Sequence, residues 1–259
     1  MDLGISNRQA IVCAASRGLG RGCAQALAAA GVNLVINARN REVLEETATA
    51  IRSDHGVDVI AVDSDITTDA GRDAVLAAAG VPDILVNNAG GPPPGHWSDW
   101  NRDDFVAALD ANMLSAIDMM KRCLPEMIDR RWGRVVNITS MSVKAPIPVL
   151  GLSNAARAGL TGYVAGTARQ VAGFGVNINN LLPGIHATDR AVALDSDLAA
   201  AKGISLEDAK AERCAMIPAG RYGTSDEFGA TCAFLCSKHA GFMVGQNILV
   251  DGGAVVATL

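Results

Sequence analysis

Aromatic residues are scarce in this chain of 259 residues: Phe, Trp and Tyr make up 4% of it, and only two positions are Tyr. Surfaces that stack nucleic-acid bases depend on such rings. Clustered positive charge is also missing. The formal net charge is −5 and no run of Lys and Arg exceeds two residues, whereas nucleic-acid binding needs a concentrated basic face. No apolar stretch approaches the roughly 20 residues of a membrane helix. The segment Met1 to Gln9 lacks the charged start and apolar centre of a secretory signal. These absences point to a cytoplasmic protein without membrane or nucleic-acid partners. Paired cysteines are absent as well: six are present and none forms a CxxC pair. Cys232 and Cys236 stand four apart on an expected helix, but no histidine lies at ligand spacing, so buried thiols are expected and a metal is not.

What is abundant is small and branched apolar side chain, with 49% of the chain hydrophobic. That suits a buried parallel sheet sandwiched by helices. A chain of this length buries about three quarters of its unfolded surface and needs no staple. Strand-like runs at 9–13, 33–37, 57–62, 83–86, 134–138, 177–181 and 246–250 alternate with helix-like runs. The helical runs cover 21–30, 41–53, 69–79, 105–128, 153–174 and 225–236. This alternation predicts βαβ units with right-handed crossovers, an α/β fold with one Rossmann-type doubly wound parallel sheet and helices on both faces. Residues 185–216 break the rhythm with a polar, alanine-rich stretch carrying Asp195, Asp197, Lys202, Glu207 and Asp208. It reads either as a substrate loop or as a pair of surface helices. No repeat, linker or low-complexity tract interrupts the chain, so 1–259 is expected to be one unit.

The first strand runs into Cys13-Ala14-Ala15-Ser16-Arg17-Gly18-Leu19-Gly20, a glycine-rich turn opening the first helix. Such a turn lets the backbone approach a pyrophosphate, which rests on the positive end of the helix. The turn resembles the TGxxxGxG element of the short-chain dehydrogenase/reductase family, with Cys13 and Ala14 in place of its Thr and first Gly. Asn87-Asn88-Ala89-Gly90 resembles the family's NNAG, and Asn137-Ile138-Thr139-Ser140 ends where its catalytic serine is usual. Asn177 to Gly184 with Thr188 resembles the N…PGxxxT element, and Val250-Asp251-Gly252-Gly253 its closing motif. The resemblance runs from end to end and implies the Rossmann-type fold and a nicotinamide cofactor. It implies that Ala14, Ser16, Arg17, Gly18, Leu19, Gly20, Asn88, Ala89, Gly90, Pro183 and Gly184 line the cofactor. Asp65, with Ile66 beside it, would meet the adenine, and Thr188 the nicotinamide carboxamide. Ala14 adds a methyl near the pyrophosphate and is expected to forbid a strained φ there.

The second strand ends Asn37-Ala38-Arg39-Asn40-Arg41, with no acid before Glu42. A carboxylate at this point selects NAD, and a cation accepts the 2′-phosphate of NADP. Arg39, with Arg17 from the glycine turn, therefore favours NADP(H) over NAD(H).

At the catalytic end the resemblance implies Asn112 and Ser140, but the family's Tyr-x-x-x-Lys is missing. The usual spacing after the serine lands on Ser153 and Arg157. Residues four apart share a helix face, yet a serine is a far weaker acid than a phenol. An arginine holds charge without shuttling protons, although Arg157 can still hold the cofactor ribose. Tyr163 should face away from Ser153, and Tyr222 lies far along the chain. Three readings stay open. One is an oxidoreductase with an atypical proton relay through Ser140, Ser153 or water, with Arg157 stabilising the oxyanion and Lys144 nearby. Another acts on a substrate that needs no strong acid, such as an enone. The last is a catalytically silent relative that binds NADP(H) as a sensor or partner subunit.

Candidates for the substrate pocket are His96, Trp97, Met141, Ser142, residues 146–150, Ile185 and His186. They suit a small to medium apolar carbonyl compound or an acyl thioester, reduced or formed by oxidation of the alcohol. The resemblance also implies a homotetramer through the 105–128 and 153–174 helices and the C-terminal strand.

Overall fold

The computed structural model describes residues 1–257, so the last two residues of the expected 1–259 unit lie outside the described residues. Seven strands form one sheet: β1 (Gln9–Val12), β2 (Asn33–Ala38), β3 (Val59–Asp63), β4 (Ile84–Asn87), β5 (Gly133–Ile138), β6 (Val176–Pro183) and β7 (Asn247–Val250). Their order is β3-β2-β1-β4-β5-β6-β7, and every pairing is parallel. The doubly wound sheet expected from the sequence is therefore present. The order reverses between β1 and β4, and a crevice beyond the carboxyl ends follows from that reversal.

The helices are α1 (Gly18–Ala29), α2 (Arg41–His55), α3 (Asp69–Ala79), α4 (Arg102–Leu109), α5 (Ser115–Asp129), α6 (Gly151–Val171), α7 (Asp189–Lys202), α8 (Leu206–Ala215) and α9 (Ser225–Cys236). A π-helical turn, Asp110–Leu114, joins α4 to α5. Alternate residues of β1 divide between two apolar layers. Ala10 and Val12 join Leu27, Leu44, Ile51 and Phe228 on the α1, α2 and α9 face. Ile11 joins Val75, Met119, Met120, Leu160 and Val164 on the α3, α5 and α6 face. Where α1 crosses α9, a Cβ at Gly22 would collide with the Ser225 carbonyl, and one at Gly229 with that of Gly22. Only glycine permits that approach.

A chain of side-chain amides crosses half the sheet. Asn87 Nδ2 donates to Asn137 Oδ1 at 2.9 Å, Asn137 Nδ2 to Asn180 Oδ1 at 3.2 Å, and Asn180 Nδ2 to Asn247 Oδ1 at 2.8 Å. The same residues are register partners across β4, β5, β6 and β7. Asn137 and Asn180 are fully buried. Asn137 and Asn180 each donate to one neighbour and accept from the other, which is what a dry sheet interior requires of a polar group.

The interrupted stretch forms the helix pair α7 and α8. Ala191, Ile217 and Tyr222 make a small core of their own with Ile185 and Cys214. Asp195, read from sequence as one charge of a polar stretch, is buried instead. It accepts from the Tyr222 hydroxyl at 2.7 Å and pairs with Arg213. A buried carboxylate persists only with such partners.

Replacing Asn137 by Leu removes both the acceptor of Asn87 and the donor to Asn180. Each orphaned amide costs about 1–3 kcal/mol, so Asn137→Leu should lower unfolding stability in urea by roughly 2–4 kcal/mol. A loss below about 1 kcal/mol would show that the amide chain does not hold the strand ends.

Candidate active site

The glycine turn is built by backbone rather than side chain. Ala14 sits at φ +47° and Gly18 at φ +55°. The expectation that alanine forbids a strained φ at 14 is thus overturned. The turn is held from both sides, since Ala14 O accepts from Asn88 Nδ2 at 3.3 Å and Ala15 N donates to Asn37 O at 2.9 Å. The alanine accepts the left-handed conformation at a cost. A Cβ at Gly20 would collide with the Ala14 carbonyl, so the third glycine position is sterically required.

Helix α1 opens without a side-chain cap and without an acid in its first turn. By contrast α2, α3, α4, α8 and α9 are each capped by a side chain. The first-turn amides of α1 carry a partial positive charge with no side chain to absorb it. Gly18 faces Thr188, whose methyl stands 3.3 Å from an ideal Cβ there, and Gly90 has open space where a Cβ would be. Ser16 offers its carbonyl to the Thr47 hydroxyl at 2.9 Å. Pro183 ends β6, and Gly184 N donates to Val250 O at 2.9 Å.

Arg39 is exposed at the end of β2 and makes no hydrogen bond or ion pair among the described residues. Its charge helps to hold the Asp65 carboxyl below its ordinary range, after the larger effect of hydrogen bonds from Thr67. Asp65 Oδ1 accepts from both Thr67 N and Thr67 Oγ1, so part of the carboxylate read as an adenine contact is committed to its own turn. Arg17, read as a second partner of the ribose phosphate, pairs instead with Asp189 at 3.1 Å, both largely exposed. No contact joins it to Arg39. Asp189 begins α7, so this pair links the two rims of the crevice.

Deeper in, Asn112 occupies the π-helical turn and is buried. It lines a cavity of about 20 Å³ with Asn88, Ala89, Ile66, Ser115, Ile138 and Arg157. That volume admits one water, and Asn112 Oδ1 has no protein partner. Arg157, on the inner face of α6, is 8% exposed. Its Nε donates to Ser153 Oγ at 3.2 Å and its Nη1 to Ile138 O at 2.8 Å. Burial, then the charge of Arg190, push its pKa down to about 10, so it remains a cation at neutral pH. Ser140 Oγ accepts from Ser142 N at 3.1 Å. The structure thus gathers Asn88, Ala89, Asn112 and Arg157 around one cavity, with Ser153 joined to Arg157.

Neither tyrosine supplies a phenol. Tyr222 is held by Asp195, and its pKa is raised, chiefly by burial. Tyr163 packs on the α6-side core. Lys144 makes no side-chain hydrogen bond or ion pair among the described residues. Of the pocket candidates, Trp97 is 76% exposed and His96 is exposed with it. His186 is buried edge-on against Phe228 and lines a separate cavity of about 190 Å³ with Gly223, Glu227 and Asp251. Burial lowers its pKa below 6.5, which leaves it neutral at pH 7. Sequence reading missed Arg190, in the first turn of α7 two residues after Thr188, and placed it only within the interrupted stretch. Its Nη2 donates to Pro92 O at 3.4 Å, and a side chain at Gly91 would collide with its guanidinium.

No helix among the described residues is long and apolar enough to cross a membrane. Among the same residues no three His, Cys, Asp or Glu side chains are arranged to hold a metal. The six cysteines are free, five of them buried.

A parallel sheet reversing at β1 and β4, with an uncapped α1 behind a glycine turn, defines a dinucleotide-binding architecture. Residues 13–255 match a family model described as enoyl-(acyl carrier protein) reductase. The chain is 32% identical over 256 residues to the NADPH-dependent reductase BacG of Bacillus subtilis, covering 97% of this chain and 99% of that one. It is also 32% identical over 259 residues to the acetoacetyl-CoA reductase of Cupriavidus necator, covering 96% and 98%. The structure of L-sorbose reductase from Gluconobacter frateurii, complexed with NADPH and L-sorbose, superposes with a TM-score of 0.94. Identity is 26%, and 99% of this chain and 100% of that one are covered. The chain belongs to the short-chain dehydrogenase/reductase family.

A left-handed alanine costs about 1–2 kcal/mol relative to glycine. Ala14→Gly should therefore raise stability by about 1 kcal/mol and the unfolding midpoint by about 2–4 °C. An unchanged or lower midpoint in a thermal scan would mean that the turn is not strained.

Proposed function

We propose that this protein is an NADP(H)-dependent oxidoreductase. It reduces a carbonyl group, or oxidises the matching alcohol, on a small to medium substrate. The uncapped α1, Gly18 facing Thr188, and the open space above Gly90 fit a dinucleotide lying from the glycine turn toward Asn88. The exposed, unpaired Arg39 fits the 2′-phosphate. Relatives named as NADPH-dependent reductases support the same cofactor. When bound, the nicotinamide supplies or accepts the hydride.

The observation that carries the chemistry is Arg157, buried at the floor of the crevice and joined to Ser153. In a water-poor site a fixed guanidinium stabilises an oxyanion strongly and reorganises little. Arg157 holds the developing negative charge and orients the Ser153 hydroxyl. That hydroxyl passes a proton from solvent to the oxygen without itself being a strong acid. Asn112 fixes the cavity beside Arg157 through which water reaches the pair, and Ser140 orients the carbonyl from the β5 end. The reading includes residues 1–259 as one unit, with 185–216 as its substrate segment. It also includes a homotetramer, supported by Phe105, Val106 and Leu114 exposed at 37–45% around α4 and α5. Location in the cytoplasm is consistent with six unpaired thiols.

The silent NADP(H)-binding reading keeps one point in its favour, the commitment of both tyrosines elsewhere. Fluorescence titration with NADPH and NADH, beside turnover on ketones, acyl thioesters and enones, separates the two. Arg39→Ala should weaken NADPH binding by about 10-fold or more and leave NADH binding nearly unchanged, as loss of a charge-assisted bond demands. Arg157→Leu should lower kcat by roughly 100- to 1000-fold. Tight NADPH binding without turnover of any compound would select the silent reading, and a wild-type preference for NADH would refute the role of Arg39.

A further inference from the structure

The crevice holds two arginines that no carboxylate balances. Arg157 is buried, and both of its hydrogen bonds run to neutral oxygens, Ser153 Oγ and Ile138 O. Burial and Arg190 are what depress its pKa; no acid raises it. Arg190 reaches across the crevice from the first turn of α7 to the segment that follows Asn88-Ala89-Gly90. There its guanidinium lies against Gly91 and donates only to the Pro92 carbonyl, at 3.4 Å. The one acid beside it in sequence, Asp189, is engaged with Arg17 at 3.1 Å.

Arg190 occupies a position that helix electrostatics disfavours. A cation in the first turn meets the positive end of the helix, and α7 has no side-chain cap at Thr188 to offset it. The charge of Arg190 acts on Arg157, and two like charges near an uncapped helix start form a site that a neutral substrate leaves electrostatically unfavourable. A guanidinium fork matches a carboxylate with two parallel hydrogen bonds. The cofactor phosphates are the other available anions, but their expected partners are the α1 amides and Arg39, on the β1–β2 side. Arg190 stands instead beside Gly91 and Pro92, beyond the Asn88-Ala89-Gly90 segment.

From this geometry we infer that the substrate is an anion, an oxo acid or unsaturated acid whose carboxylate is held by Arg190 while Arg157 faces its reacting oxygen. The inference rests on the oxidoreductase reading and replaces its neutral apolar substrate with a charged one. The apolar flank, Ile147 to Leu150, would then take the hydrocarbon part. Arg190 is a specificity residue and adds no chemical step.

The test pairs 2-oxo and 3-oxo acids of four to eight carbons with their methyl esters in an NADPH-oxidation assay. The wild-type protein is compared with Arg190→Gln, and NADPH binding is titrated for both. An arginine–carboxylate contact is worth about 1.5–3 kcal/mol, or about 10-fold or more in kcat/KM. The acids should therefore exceed the esters by about 10-fold or more. Arg190→Gln should reduce that ratio to within about 3-fold, mainly through KM, with NADPH binding altered less than about 2-fold. Esters matching the acids in the wild-type protein would overturn the inference, and so would a ratio untouched by the substitution. A large loss of NADPH affinity would assign Arg190 to the cofactor and overturn it equally. If nothing turns over, the oxidoreductase reading fails first. Calorimetric titration of the NADP⁺ complex with the matching 2-hydroxy acids then decides separately. Arg190-dependent binding upholds the anion site, and absence of binding removes it.

Discussion

Four asparagines hold the working end of this sheet at one level. A parallel sheet covered on both faces excludes water from its middle strands, so a polar side chain there must be satisfied by other protein groups or not be present. Asn87, Asn137, Asn180 and Asn247 satisfy one another across β4, β5, β6 and β7. The consequence lies just beyond them. Asn88 follows Asn87 and ties down the Ala14 carbonyl. Ile138 follows Asn137 and offers its carbonyl to Arg157, with Ser140 two residues on. Pro183 and Gly184 follow Asn180 by one further turn of the pleat. A slip of one residue in any pairing would reverse the faces of the strand, break the amide chain and move these groups out of reach of one another.

On that level floor the second constraint is charge. A buried guanidinium loses its hydration, and the hydrogen bonds from Arg157 to Ser153 and Ile138 restore only part of it. With Lys or Arg as the helical partner of a phenol, the cation lowers an acid's pKa. With Ser153 in that position it has no acid to act on. What is left is a fixed positive potential, which in the proposed function lies beneath the substrate's carbonyl oxygen. Such a site favours reactions in which negative charge develops and persists for a moment, the proton following from solvent. A cavity with room for one water, lined by both Asn112 and Arg157, is compatible with that order of events.

Much of this was legible in the chain itself, and the failures have physical causes. Helices α3 and α9 fall on the expected 69–79 and 225–236 because Thr68 and Thr224 cap them locally. Helix α1 starts at Gly18 rather than Arg21, since its start is set by the glycine turn and not by apolar periodicity. The sheet, its order of alternation and the glycine turn are periodic or local signals, which sequence carries directly. Asp195 defeated such reading because its partners, Tyr222 and Arg213, lie 27 and 18 residues away. The Arg17–Asp189 pair was invisible for the same reason, its partners being 172 residues apart. Ala14 differs: intrinsic preference disfavours a left-handed alanine, but hydrogen bonds to Asn88 beyond β4 and to Asn37 of β2 hold the turn in it.

The first turn of α7 unites these threads. Consecutive residues Asp189 and Arg190 point to opposite rims of the crevice, one to Arg17 on the glycine turn and the other to Pro92 beyond β4. An exposed ion pair contributes little stability, so the Arg17 link adds little to holding α7 in place. With Asp189 turned to Arg17, the guanidinium of Arg190 has no carboxylate beside it. The segment 185–216 is fixed by a small core that it shares with Ile217 and Tyr222, and by the hydrogen bond from Tyr222 to the buried Asp195. One helix start thus carries a contact to each rim of the crevice, and the segment behind it is anchored at Gly184 by the hydrogen bond to Val250 O and at His186 by the bridge to Gly223.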